Sequence, residues 1–106
     1  MPKYLVKASY AAEGAMGLMK EGGTARRAAV QAVTKKAGGK LEAFYFAQGD
    51  ADVIAIIDMP DAVSAVALSL AVNASGAVRS TTTPLFTAEE LDKASKKTVP
   101  YRAPGA

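Results

Sequence analysis

The sequence predicts an α+β fold, a four-stranded antiparallel sheet with helices on one side. Short runs of alternating or β-branched residues at 3–10, 40–47, 52–58 and 77–86 read as strands. Between them lie stretches of helical spacing bounded by Gly, Thr or Pro. The middle two strands are separated only by Gln48-Gly49-Asp50-Ala51, a spacing that makes them an antiparallel hairpin.

In KYLVKASY, residues 3–10, Tyr4, Val6, Ala8 and Tyr10 fall on one face of the first strand. AAEGAMGLMKE (11–21) is helix-leaning, although Gly14 and Gly17 each weaken it by about 1 kcal/mol relative to Ala. Gly22-Gly23 breaks the chain. Thr24 then supplies a cap for TARRAAVQAVTKKAGG, which buries Ala29, Val30 and Val33 and ends at Gly38-Gly39 behind Lys35 and Lys36. After the hairpin, Met59-Pro60-Asp61 opens a helix with Pro in its first turn. The residues from Ala62 to Val72 are apolar on nearly all sides of that helix, with Ala65, Ser69 and Val72 placed on its outer side. The last strand is Thr-rich, and Pro84 assigns it to a sheet edge. Thr87-Ala88-Glu89-Glu90 has the form of a capping box for a short helix. TVPYRAPGA, with two prolines and no periodicity, is an extended arm. Residues 1–97 thus form a single domain and 98–106 a tail. The order is βαββαβ, the ferredoxin-like sandwich, plus a short C-terminal helix.

Composition narrows the chemistry. The 106 residues include no cysteine and no histidine, which excludes disulfides, thiolate sites and the commonest general base and metal ligand. No cofactor and no metal site is expected. A net charge of +3 is spread along the chain, without the basic stripe and interleaved aromatics of a nucleic-acid binder. The apolar stretch at the start is too short for a signal peptide, and Ala62–Val78 falls short of the roughly 20 residues a membrane helix needs. A cytoplasmic protein without membrane contact is expected.

Helices cover one face of such a sheet. The other carries, by alternation, either Phe44 and Phe46 or Leu41 and Tyr45, with aliphatic neighbours from the third strand. An apolar face of that size marks an interface, and a symmetric homo-oligomer is its commonest cover. The alternative is that the last helix and the tail cover it within one chain.

In this order the segments PKYLVKASY, KEGGTARRAAV, GGKLEAFYFAQGDADV, LAVNASGAVRSTTT and TAEELDKA together resemble the GYD domain family of small bacterial and archaeal proteins. The naming motif falls at Gly49-Asp50-Ala51-Asp52, where Ala51 stands in place of Tyr. The resemblance implies an α+β sandwich of the dimeric barrel type and brings no activity, substrate or cofactor with it.

Three groups are candidate sites. Asp50 and Asp52, at i and i+2 of an extended chain, point the same way about 7 Å apart, a geometry for acid/base work or a hard cation. Asp and Gly are equally what a hairpin turn selects. Glu42 and Asp58 read as solvated edge charges. Gly23, Thr24, Arg26 and Arg27 open a helix whose free N–H groups attract anions, and the two arginines there oppose the helix dipole unless an anion, from a ligand or another carboxylate, offsets them. Arg79, Thr81 and Thr83 share one side of the last strand, with Tyr4 or Tyr10 on the first strand as neighbours in a pocket for a small acid. The leading functional expectation is a non-enzymatic homo-oligomeric module that binds a small anionic molecule or a protein. The alternative is a small cofactor-independent isomerase or oxygenase, with Asp50 or Asp52 as base and Arg79 or Tyr10 as anion stabiliser.

Overall fold

The computed structural model describes residues 1–106. Its elements run β1 (Lys3–Tyr10), α1 (Ala12–Glu21), α2 (Gly23–Lys36), β2 (Lys40–Phe46), β3 (Val53–Asp58), α3 (Ala62–Ala74), β4 (Val78–Leu85) and α4 (Ala88–Ser95). The strands pair in the order β2-β3-β1-β4, every neighbour antiparallel, so β1 and β3 are central as the ferredoxin-like order requires. Pro84 lies opposite Tyr4 on edge strand β4, where its missing N–H breaks no ladder between two neighbours. No helix is long and apolar enough to cross a membrane.

Alternation in β1 and β3 sends Tyr4, Val6, Ala8, Val53, Ala55 and Ile57 to the helix side, and all but Val6 are buried. The edge strand β2 departs from simple alternation. Leu41 pairs with Ile57 and Ala43 with Ile56, so Glu42 is an extra residue in a bulge. The bulge shifts the phase by one. Leu41, Phe44 and Phe46 all face the helices, while Lys40, Ala43 and Tyr45 face away with Leu5, Ile54, Ile56 and Asp58. Neither face assignment expected from strict alternation is correct, because alternation assumes an unbroken ladder.

The core is small: 10 of 106 residues are buried. Tyr4, Ile57, Met59 and Ala65 form one cluster, and Ala8, Val53, Ala55 and Val78 the other. Helix α3 is not covered all round. Ala65 is its buried residue, Ser69 and Val72 are half-buried on the same inward side, and Val63, Val66 and Leu70 form the exposed outer side. The expected outer residues are thus the inner ones, since a helix with apolar groups on every side carries no phase signal. In α2, Val30 is half-buried while Ala29 and Val33 are exposed toward an open space between the helices.

The ends of the elements follow local chemistry. Gly22, at φ +87°, joins α1 to α2 and occupies the cap of α2, so Thr24 sits exposed inside the first turn and caps nothing. Asp61 caps α3 by accepting from the Ser64 N–H at 2.7 Å, with Pro60 just before the helix rather than within it. Thr87 and Glu90 form the expected reciprocal box on α4. Helix α4 makes few contacts with the body, and Phe86, Leu91, Val99 and Tyr101 stand exposed along it and the tail. The radius of gyration is therefore 16.8 Å, against about 13 Å for a compact chain of 100 residues. Helix and tail do not cover the bare sheet face within one chain.

Gly14 has a packing reason. The Ala11 N–H donates to the Ala77 carbonyl at 3.0 Å, and a Cβ on Gly14 would overlap that carbonyl, whereas one on Gly17 would meet open space. Urea unfolding is expected to show Gly14→Ala destabilised by about 1–3 kcal/mol despite the propensity gain, and Gly17→Ala stabilised by up to about 1 kcal/mol. Equal effects at both sites would remove the close approach as the reason for Gly14.

The caps also set an acid limb. Hydrogen bonds from the Ser64 and Thr87 backbone N–H groups respectively hold the Asp61 and Glu90 carboxyls below their ordinary values of 3.8 and 4.5. A depressed carboxyl stabilises the fold fully above its unfolded value and ceases to do so as pH falls through the folded one. Thermal melts should therefore fall below about pH 4. Asp61→Asn, which still caps but does not titrate, should keep most of the neutral-pH melting temperature and flatten that limb; an unchanged acid slope would contradict the assignment.

Candidate functional site

Helix α2 rests on β2 and α1, and α3 rests on β4. The two helices stand over opposite edges of the sheet. Between them the central strands offer mostly small side chains, Val6, Ala8, Val53 and Ala55, too short to fill the space above them. The result is a cleft of about 300 Å³, floored by β1 and β3 and walled by α2 and α3. Of the 21 residues that line it, 15 are hydrophobic and Arg26 alone carries a charge.

Arg26 enters from the first turn of α2. Its guanidinium carbon lies 5.9 Å from the centre of the Tyr10 ring, a cation–π contact at the C-terminal end of β1. Its Nε is buried and has no hydrogen-bond partner, and the ion pairs of the protein all belong to Lys3 and Lys7. A buried donor without an acceptor is costly, and more so when it is charged. Polar groups elsewhere in the lining are hydroxyls: Thr34, Ser69, Ser75, Ser80 and Thr82, apart from Tyr10 itself. The Thr34 hydroxyl is turned back on its own helix, donating to the Val30 carbonyl at 2.7 Å. No carboxylate lines the cleft.

The sequence-derived candidates divide between the two faces of the sheet. Arg26 and Tyr10 meet in the cleft. Gly23 lies at the mouth of a shallower groove with Tyr10, Phe46 and Asp52, and Thr24 and Arg27 are exposed. Arg79 and Thr81, with Thr83, are on the opposite face, in register with Ser9, Lys7 and Leu5. The expected grouping of Arg79 with Tyr4 or Tyr10 does not form, because those tyrosines pair with Pro84 and Val78 on the helix side. The missed members of the cleft, Ser80 and Thr82, are the alternate residues of that same strand.

Asp50 and Asp52 also part company. Lys7 Nζ donates to Asp50 at 3.0 Å, and that bond and charge hold its carboxyl below the ordinary range. Asp52 accepts from the Tyr10 N–H at 2.9 Å, while its own N–H donates to the Ala8 carbonyl at 2.8 Å. The loop between β2 and β3 is thus tied to β1 through both carboxylates. Gly49 does not adopt positive φ, so the loop rests on these bonds rather than on a glycine-dependent turn. Neither carboxylate lines the cleft, and no cluster of three acidic residues that could hold a metal forms. Glu42 and Asp58 are held by Lys3, at 3.1 and 2.7 Å, and that bonding raises the pKa of Lys3, with Asp58 contributing first.

One further residue escaped the sequence. Asn73, near the end of α3, accepts from the Ser80 N–H at 2.7 Å and donates to the Ser80 carbonyl at 3.3 Å. It fixes the wall of the cleft to the edge of β4 and satisfies edge groups that would otherwise be free.

No characterised protein and no solved structure matches the sequence. The model of the GYD domain matches residues 4–95, from β1 to the end of α4, and takes in the cleft, its arginine and the loop that carries Asp50 and Asp52. The chain belongs to the GYD domain family.

Proposed function

We propose that the chain is a non-enzymatic homo-oligomeric binding module in which residues 1–97 form one domain, pair with a second copy through the bare sheet face, and hold a small molecule in the helix-side cleft. The cleft carries this reading. Its volume of about 300 Å³ lies at the lower bound of small-molecule sites, and its walls are apolar with few polar groups, the composition that such sites have.

Pairing is supported from the other side of the sheet. Leu5, Ala43, Tyr45, Ile54 and Ile56 form a strip there, with Tyr45 70% and Ile54 37% exposed. Charges of both signs flank the strip: Lys3, Lys7, Lys40 and Arg79 with Glu42, Asp50 and Asp58. A surface that carries both signs has carboxylates and cations to set against each other in a symmetric pair. The projecting α4 and tail, with Phe86, Leu91 and Tyr101 exposed, add apolar groups in need of the same cover.

Light scattering should give a mass of at least twice the 10.9 kDa of one chain. Ile54→Lys, which sets like charges against each other in the strip, should yield the single-chain mass with an unchanged far-UV spectrum. A wild-type particle of 10.9 kDa would refute the pairing. For the cleft, the fluorescence of a bound naphthalene sulfonate dye should be lost in Ser69→Trp, whose ring occupies the space between the helices; full binding by that variant would place the dye elsewhere.

A further inference from the structure

We propose that the cleft is built for an amphipathic monocarboxylate, with its carboxylate on the Arg26 guanidinium and its hydrocarbon body lying along Val6, Ala55 and Leu68. This rests on the reading of the cleft as a binding site and adds the class of its ligand.

The head group follows from Arg26. It is the sole charge among 21 lining residues, its Nε is buried without a partner, and no carboxylate of the chain pairs with it. Its two terminal nitrogens are neither buried nor hydrogen-bonded, and they form a planar fork that matches the two oxygens of one carboxylate. The Tyr10 ring centre lies 5.9 Å from the guanidinium carbon, within cation–π range, and so favours its position in the cleft. Ion pairing across a surface of low polarity is also where such a contact is least screened. A dianion such as a phosphate monoester fits less well, since no second cation lines the cleft to balance its further charge.

The body follows from the other end. Arg26 and Tyr10 lie where β1 ends and β4 begins, and the cleft runs from there toward Ile57 and Ala65, past side chains that are all apolar or hydroxyl-bearing. At roughly 30 Å³ for a water-sized group, a space of about 300 Å³ takes roughly ten non-hydrogen atoms. A medium-chain fatty acid or an aryl carboxylate is of that size. The Met59 cluster closes the far end, since Met59 is fully buried among Tyr4, Ile57 and Ala65, and so limits the length of the chain that fits.

Calorimetric titration of the full chain with decanoate and with 1-decanol, below their aggregation limits, separates the two layers of the proposal. Wild type should bind decanoate at least tenfold more tightly than decanol, the order expected of one charge-assisted pair. Arg26→Gln should bind both equally, at about the wild-type affinity for decanol, and Arg26→Lys should restore part of the preference. Lys36→Gln, which removes an exposed charge from the last turn of α2 outside the cleft, should change nothing. Equal affinity of wild type for acid and alcohol, or an undiminished preference in Arg26→Gln, would overturn the assignment of Arg26 while leaving the cleft reading intact. Binding of neither molecule would overturn both. Amide NMR shifts on adding decanoate to wild type should centre on Tyr10, Arg26 and Val72, and shifts confined to Tyr45 and Ile54 would move the site to the bare face and refute the proposal.

Discussion

The structure depends on a mismatch between how much apolar surface the sequence carries and how much one chain can hide. Half of the residues are hydrophobic by composition, yet only 10 of 106 are buried. Burial of apolar area is the main favourable term in folding, at about 25 cal/mol per Å², so apolar groups left outside are both unused stabilisation and a liability. A four-stranded sheet with helices on one side has a second face by construction. Small side chains at the centre of the covered side add a second deficit, because they leave the helices apart. The two deficits lie on opposite faces of β1 and β3, and the proposed function assigns each its own cover: a copy of the chain on one side and a ligand on the other.

The two faces are coupled through the loop between β2 and β3. Lys7 on the bare face holds Asp50, and the Tyr10 backbone N–H, whose side chain faces the cleft, donates to Asp52. The loop is therefore fixed from both sides of β1. Ala51 between them is buried, so the loop closes inward on a small side chain.

Much of the fold was legible because its signals are local. Alternation in KYLVKASY, the short hairpin spacing, the capping box at Thr87 and the edge position of Pro84 each need only a few neighbouring residues to be read. What was not legible depends on phase or on distant partners. The bulge at Glu42 puts Leu41 on the same side as Phe44, and nothing in LEAFYF announces it. Helix α3 lacks a polar side, so which residues face inward is decided by the sheet it meets. The inward turn of Arg26 opposes the helix dipole, and the sequence registered that conflict without resolving it in favour of the cleft. The bonds that hold Asp50 and Asp52 were not legible either, since their partners lie 43 and 42 positions away along the chain.

If a second copy covers the sheet face, association is linked to folding, and stability must depend on protein concentration. Equilibrium urea unfolding at two concentrations a hundredfold apart measures this directly. The account predicts a midpoint that rises with concentration. A midpoint independent of concentration across that range, for a particle of single-chain mass, would show that one copy is stable with its bare face in water and would contradict the account.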